Sequence, residues 1–302
     1  MPIAAVNGIE IAYETIGSGS RTVVLLPGAS CQMLEWLDPF CEMITGEDCT
    51  VVRVDNRDVG LSTHFDDVCP NPAELMAKAQ ACEPYDPPYS IEDMATDTAE
   101  LIKVVSDGPA HIVGRSMGGM IGQRVAIHHP DVIASLCSVA SSAGNPNLRI
   151  RDKEVLKFFA LRPATTYEEQ IQRNVDGDRL FSGTHFEFDE EADYKKRKDM
   201  RARSDDANGG MRHSLMFGAG NPAARYERHK KDLAKLDLPV SIIHGSADNL
   251  LNVENGIETA DLIPNANLNI IEGMAHELPA GAWPQIVAAI VDTVDRAEPR
   301  QR

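Results

Sequence analysis

The residues with the clearest chemical potential are a serine between glycines and, far downstream, an aspartate and then a histidine. Ser116 stands at the centre of a Gly-x-Ser-x-Gly pattern at residues 114–118. A serine hydroxyl is a weak nucleophile unless a nearby base removes its proton, and that base needs an acidic group to orient it. Asp248 and His276 follow in the chain order that a serine on such a turn requires. The chemistry indicated is nucleophilic acyl transfer.

The elements predicted around these three residues explain how they could meet. A short apolar run ends at Gly114 and residues 120–127 have a helical pattern, so Ser116 lies on a sharp turn between a strand and a helix. Small neighbours relieve the strained backbone of such a turn. Asp248 and His276 each follow a strand-like run, over residues 238–243 and 267–271. Because the carboxyl ends of parallel strands meet at one edge of a sheet, we expect the three side chains to converge there.

Other residues compete for these roles. Glu272 and Asp261 are alternative acids, but Glu272 lies too near His276 along the chain to orient its ring, which favours Asp248. Arg115, beside the serine, could pair with an acidic residue or could extend its charged end into solvent. Two histidines at strand ends are expected to be structural, and two in an inserted segment could contact substrate. These are His111 and His244, and His185 and His213, respectively.

Alternating strand and helix patterns predict an α/β sheet with helices on both faces. The first two strands flank Asn7-Gly8 and should form an antiparallel hairpin, whereas the later strands are separated by helices and should be parallel. The predicted strands cover residues 4–6, 9–15, 22–26, 50–54, 110–113, 132–139, 239–243 and 268–271. Helices are also predicted over residues 92–105 and 283–294.

Two segments interrupt the alternation. Residues 141 to about 220 contain no clear strand and several charged helical runs, such as residues 194–201, which predicts a helical cap inserted over the strand ends. The predicted organisation is a core domain of residues 1–140 and 221–302 and a cap of residues 141–220. The proline-rich residues 63–89 form a second excursion without a strand.

Composition limits the class of protein. The chain has 302 residues, 43% of them hydrophobic, and a formal net charge of -17, which disfavours binding to nucleic acid. No apolar run reaches the length of a membrane span, and the N-terminus has no secretory signal pattern. Six cysteines without C-x-x-C spacing and scattered histidines indicate free thiols and no metal site. We expect a cytoplasmic protein, with no cofactor and no membrane or nucleic-acid partner.

The chain resembles the α/β-hydrolase superfamily over nearly its whole length. The resemblance depends on the elbow at residues 114–119, on Asp248 and His276, and on residues 55–62, which are similar to the pattern D-x-R-G-x-G-x-S. Together with residues 273–279, these loops resemble the serine esterase branch that contains aclacinomycin methylesterase. The resemblance implies an α/β-hydrolase fold with a mostly parallel eight-stranded sheet and an inserted helical cap, and it implies cleavage of a carboxylic ester.

The resemblance also assigns roles. Ser116 would be the nucleophile, His276 the base and Asp248 its orienting acid, while the backbone N–H groups of Met117 and Ala29 would form the oxyanion hole. The loop that holds Ala29 lacks the histidine of most relatives, which leaves open how that loop is supported but retains the N–H. Asp58 replaces a glycine of the pattern, a change that a left-handed turn tolerates.

The function predicted is hydrolysis of small hydrophobic carboxylic esters through an acyl-enzyme, by a carboxylesterase that is a monomer or homodimer. Lactone hydrolysis, perhydrolysis and carbon–carbon bond hydrolysis use the same triad and remain alternatives. A ligand-binding protein with an idle triad is an alternative of another class.

Overall fold

The computed structural model describes residues 1–81, 83–148, 150, 152–159, 161, 164, 166–204 and 208–297. Its strands are β1 (Ile3–Val6), β2 (Ile9–Ile16), β3 (Arg21–Leu26), β4 (Cys49–Val54), β5 (Ala110–Arg115), β6 (Ile133–Val139), β7 (Val240–Gly245) and β8 (Asn267–Ile271). Its helices are α1 (Asp38–Thr45), α2 (Pro72–Gln80), α3 (Ile91–Val105), α4 (Met117–His128), α5 (Lys153–Phe159), α6 (Tyr167–Ser182), α7 (Glu190–Arg203), α8 (Gly209–Gly218), α9 (Pro222–Leu233), α10 (Glu254–Leu262) and α11 (Trp283–Ala297).

The strands form one eight-stranded sheet in the order β1-β2-β4-β3-β5-β6-β7-β8. The β1–β2 hairpin and the β2–β4 pair are antiparallel, and every later pair is parallel. The predicted sheet, mostly parallel with an antiparallel lead-in, is confirmed. Its parallel strands end at the same edge, which is where Ser116 follows β5, Asp248 follows β7 and His276 follows β8.

Helices cover both faces of the sheet, as predicted, because successive residues of a buried strand point to opposite sides. On β3, Val24 and Leu26 belong to one apolar core, which includes buried residues of α3 and α4. Val23 and Leu25 belong to the other, with buried residues of α1 and α11. The strands that end near Ser116, Asp248 and His276 are therefore packed between two apolar cores, one on each face of the sheet.

The structure differs from the sequence-based expectation at several element boundaries. β7 continues to Gly245, which pairs with Ile271 of β8, so His244 lies in the strand and not in the loop after it. The excursion over residues 63–89 contains α2, which begins at Pro72. Proline fits the first turn of a helix because its missing N–H has no partner there, so the prolines around α2 conceal a helical pattern without breaking it.

The helices α5–α9 separate β6 from β7, and ion pairs attach this segment to the loop after β4. Arg203 of α7 pairs with Asp55 at 2.7 Å, and Arg212 of α8 pairs with Asp58 at 2.7 Å. Both side chains of the second pair are fully buried. α9 then packs Leu233 into the core of α3 and α4. The division into core and cap domains stays a prediction, and residues 205–207 and 298–302 of the predicted segments lie outside the described residues.

The described cysteines are unpaired, with no disulfide among Cys31, Cys41, Cys49, Cys69 and Cys137, while Cys82 lies outside the described residues. No helix in the described ranges combines the length and the apolar character that crossing a membrane requires.

Candidate active site

Ser116 lies on a strained turn between β5 and α4. Its φ and ψ are 51° and −116°, in a region that non-glycine residues rarely occupy and that recurs at functional sites. The turn is held by the Ser116 N–H, which donates to Val139 O at 2.8 Å, and by the Ser141 hydroxyl, which donates to Ser116 O at 2.6 Å. The ends of β5 and β6 therefore fix the serine backbone.

The two glycines of the Gly-x-Ser-x-Gly pattern are required by close packing. A Cβ atom on Gly114 would lie 2.2 Å from the carbonyl of Gly118, and a Cβ on Gly118 would lie 2.1 Å from Leu26 O. Any side chain at either position would push α4 away from β3 and β5. The two glycines of the pattern therefore allow α4 to pack closely against β3 and β5.

Ser116 is also the one accessible residue on this turn. Every other residue from Ala110 to Gly119 is buried, whereas Ser116 is partly exposed. Ser116 directly precedes α4, whose first N–H groups have no partner within the helix and carry partial positive charge. The turn therefore presents a hydroxyl beside groups that can stabilise developing negative charge.

Asp248 and His276 are in direct contact. Asp248 Oδ2 lies 2.8 Å from His276 Nδ1, and Asp248 Oδ1 accepts the N–H groups of Leu250 and Leu251 at 2.9 and 2.8 Å. Burial alone would raise the pKa of Asp248, but electrostatic attraction to the His276 and His244 rings and hydrogen bonds from both rings outweigh burial and lower the pKa. The carboxylate is therefore held ionised against the imidazole.

The other candidate acids and histidines lie apart from the Asp248–His276 contact, except His244, whose Nε2 lies 3.3 Å from Asp248 Oδ2. Glu272 and Asp261 are exposed. His244 Nε2 lies 2.6 Å from Leu251 O, and His111 Nδ1 lies 2.9 Å from Ser135 Oγ, so both have partners within the fold. Of the two histidines that could contact substrate, His185 is exposed and packs edge-on against Phe186. His213 is fully buried and supports a loop, as described below.

Arg115 connects the Ser116 turn to the His276 loop. Its guanidinium donates to His276 O from Nε at 3.4 Å and from Nη2 at 3.2 Å. The N–H of His276 donates to Phe181 O at 2.8 Å. No hydrogen bond of 3.5 Å or less joins the Ser116 hydroxyl to another described residue. Asp248 and His276 thus meet directly, and the serine is connected to them through its neighbour.

The loop after β3 lies against Ser116, and Glu35 and His213 support it. A Cβ on Gly28 would lie 3.6 Å from Ser116 Cβ. The Gly28 N–H donates to Glu35 Oε2 at 2.7 Å, and the Ser30 N–H donates to His213 Nδ1 at 3.1 Å. Among the described residues, the N–H of Ala29 between them has no recorded acceptor, and neither has that of Met117. Both predicted oxyanion donors are thus unengaged.

An aromatic cluster extends from His276 towards the surface. The ring of Phe181 lies edge-on to the His276 ring, with centroids 6.4 Å apart, and contacts Phe158 and Phe159 at 5.8 and 6.1 Å. Phe159 is 56% exposed. This cluster could bind an apolar group next to the histidine.

Two residues that shape the site, Glu35 and Glu277, are not indicated by any pattern in the sequence. Glu35 and Glu277 pair with Arg115 and are buried with it, which decides between the two alternatives for that arginine. A charged residue at the end of a buried strand is a signal that acidic partners are needed, but it does not identify them. No grouping of His, Cys, Asp or Glu in the described ranges could hold a metal ion.

The sequence matches the family described as alpha/beta hydrolase fold over residues 22–280. The chain is 26% identical to the rhodomycin D methylesterase DauP of Streptomyces sp. (strain C5), over 96% of this chain and 97% of that protein. Its fold is similar to that of a putative aryl esterase from Burkholderia cenocepacia, with a TM-score of 0.71 and 17% identity over 98% of both chains. It is also similar to an enol-lactonase from Burkholderia xenovorans LB400, with a TM-score of 0.68 and 20% identity over 97% of this chain and 100% of the other. The matched family, the sheet order and the serine turn together establish that this chain belongs to the α/β hydrolase fold family.

Proposed function

We propose that this protein hydrolyses carboxylic esters through an acyl-enzyme on Ser116, with His276 as general base and Asp248 as its orienting acid. The observation that carries the proposal is the 2.8 Å Asp248–His276 hydrogen bond, on a loop that Arg115 ties to the strained, accessible Ser116. The similarity to a methylesterase over nearly the whole chain supports an ester as the substrate class.

In the first half-reaction, Ser116 Oγ forms a bond to the carbonyl carbon while His276 Nε2 accepts the hydroxyl proton. The carbonyl electrons move onto oxygen, and the N–H groups of Met117 and Ala29 stabilise that oxyanion. One such donor is typically worth about 3 kcal/mol in the transition state. When the carbonyl reforms, the ester C–O bond breaks and His276 returns its proton to the departing alcohol.

In the second half-reaction, water attacks the acyl-enzyme and His276 accepts its proton. The acid is released when the Ser116 oxygen leaves and is protonated again. Asp248 keeps one proton on Nδ1, so that Nε2 can accept the proton of Ser116, and it stabilises the imidazolium formed in each step. The lowered pKa of Asp248 supports this role, because a neutral carboxyl group would not stabilise the cation.

The substrate we propose is a small hydrophobic ester. Phe181 presents its ring to His276, and Phe158 and Phe159 continue the apolar surface outwards. An apolar acyl or alcohol group could pack on these rings while its carbonyl lies at Ser116. The net charge of -17 disfavours nucleic acid as a partner, and a monomer or homodimer in the cytoplasm stays our expectation.

Turnover of para-nitrophenyl acetate and butyrate tests the proposal. The wild type should hydrolyse both and should take a fluorophosphonate label on Ser116, and Ser116→Ala should lose both properties. Ser20→Ala, which alters an exposed serine, is the matched control and should retain them. A folded wild type that neither turns over an ester nor takes the label would favour the ligand-binding alternative. A panel of lactones, peracid-forming conditions and vinylogous diketones would show whether another bond is preferred.

A further inference from the structure

Arg115 occupies a position where three segments of the site meet. It precedes Ser116, it donates to the carbonyl of His276, and it pairs with Glu35, whose other carboxylate oxygen accepts the N–H of Gly28 at 2.7 Å. It also pairs with Glu277, directly after His276. One guanidinium therefore contacts the serine turn, the histidine loop and the support of the Ala29 loop.

These contacts are nearly shielded from water. The side chains of Arg115 and Glu35 are 4% and 5% exposed, and that of Glu277 is 15% exposed. A buried charge is strongly unfavourable unless it is paired, so loss of Arg115 would leave two carboxylates that repel each other. In the wild type, both ion pairs can form together only when the three segments take one particular relative position.

The shape of the arginine explains why a point charge would not suffice. Its guanidinium is planar and carries five N–H donors in a fixed fork, so it can direct Nη1 to Glu35 while Nη2 serves Glu277 and the His276 carbonyl. A lysine has one nitrogen on a flexible stem and cannot keep these directions together.

From this geometry we propose that Arg115, Glu35 and Glu277 are positioning residues for the reaction, which set the distance between Ser116, His276 and the Ala29 N–H. None of the three needs to touch the reacting atoms. This inference rests on the proposed ester hydrolysis. It also makes the buried ion-pair cluster a support of the loop after β3, through the contact of Glu35 with the N–H of Gly28.

The test compares Arg115→Met and the nearly isosteric Glu35→Gln with Arg57→Met. Arg57 is a matched control, because its side chain forms a buried pair with Asp97 at 2.7 Å, with side chains 5% and 6% exposed. The substitution removes only this side chain and keeps the backbone carbonyl that His213 contacts. We measure kcat and KM for para-nitrophenyl butyrate and the thermal unfolding midpoint of each variant. A displacement of about 1 Å of reacting groups typically lowers the rate about 100-fold. We therefore expect kcat to fall about 100-fold in both site variants, with KM changed less than about threefold.

The control separates positioning from general stability. Arg57→Met should lower the unfolding midpoint as Arg115→Met does, but it should keep kcat within about threefold of the wild type. Arg115→Lys should recover little of kcat. The double variant Arg115→Met/Glu35→Gln should lose no more kcat than either single variant, because both changes break one unit.

Three results would overturn the inference while the wild type is active: a folded Arg115→Met or Glu35→Gln variant with nearly unchanged kcat, an equal loss of kcat in Arg57→Met, or additive losses in the double variant. If Arg115→Met does not fold, Glu35→Gln decides the question in the same assay. A wild type without turnover or label on Ser116 would instead contradict the proposed function, and the inference with it.

Discussion

Replacement of Asp248 by asparagine tests the centre of the proposed site with a change of one atom. The carboxylate has two distinct sides: Oδ1 accepts the N–H groups of Leu250 and Leu251, and Oδ2 faces His276 Nδ1 at 2.8 Å. An asparagine has a single oxygen and must choose between them. Its choice determines which tautomer His276 adopts.

The structure predicts that choice. If the amide oxygen faced His276, its NH2 group would face the two part-buried N–H donors of Leu250 and Leu251. Each donor left unsatisfied away from water costs up to about 1–3 kcal/mol. The one hydrogen bond regained with His276 is worth only about 0.5–1.5 kcal/mol. The oxygen should therefore stay on the side of Leu250 and Leu251, and the NH2 group should face Nδ1 of His276. Nδ1 must then accept, so the proton moves to Nε2, which can no longer take the proton of Ser116.

A wrong tautomer of this kind lowers kcat about 10⁴-fold in enzymes with a Ser-His-Asp triad, which corresponds to about 5 kcal/mol of transition-state stabilisation. We expect a loss of this size in Asp248→Asn with little change in KM, measured by steady-state hydrolysis of para-nitrophenyl butyrate. The amide substitutions Asp261→Asn and Glu272→Gln are matched controls, because both acids are exposed, and they should leave kcat unchanged. A folded Asp248→Asn enzyme within tenfold of the wild-type kcat would refute the assignment of Asp248.

Three further outcomes follow from the same contacts. Phe181→Ala should raise KM for esters with apolar groups by at least about tenfold and change kcat less, because the ring is lost while the backbone carbonyl that holds His276 remains; the Michaelis kinetics of acetate and butyrate esters measure this. Gly118→Ala should lower the free energy of unfolding, measured by urea titration, by about 3 kcal/mol or more, because its Cβ would lie 2.1 Å from Leu26 O. Gly108→Ala is the control: it has open space around it and should change the free energy of unfolding by less than about 0.5 kcal/mol. Because the pKa of Asp248 is lowered on folding, its carboxylate stabilises the fold at neutral pH. This contribution to the free energy of unfolding is lost as the pH falls from about 3.9, the ordinary pKa of aspartate, through the lower pKa of the folded protein. Urea midpoints should therefore fall less steeply between pH 6 and pH 2 in Asp248→Asn than in the wild type.

The elements that could be predicted from the sequence are those whose residue pattern lies within the element itself. Most strands contain a short apolar run with β-branched residues, and all eight predicted runs form strands of one sheet. α1, α2 and α10 were not predicted, since each has only eight or nine residues and the first two begin next to a proline. Short helices in proteins depend on packing for their stability, and a single sequence does not display that packing.

The same distinction applies to the site. Ser116, Asp248 and His276 could be proposed because a turn motif and two strand ends mark them. Glu35 and Arg115 are 80 residues apart, and Arg115 and Glu277 are 162 apart, so no spacing in the chain relates them. A buried arginine requires acidic partners, but only the three-dimensional arrangement selects them from 46 acidic residues.

The segment between β6 and β7 helps to support the site. His213 of α8 accepts the N–H of Ser30 and lies 2.8 Å from Arg57 O, so one fully buried ring connects the Ala29 loop with the loop after β4. The adjacent Arg212 is anchored to Asp58 with no exposure of either side chain. Because Glu35 holds the other side of the Ala29 loop, the donor we assign to the oxyanion is fixed from the core on one side and from α8 on the other. Movement of α8 would therefore displace the proposed oxyanion hole. The part of the segment that could adapt to different esters is instead α5, which carries the exposed Phe159.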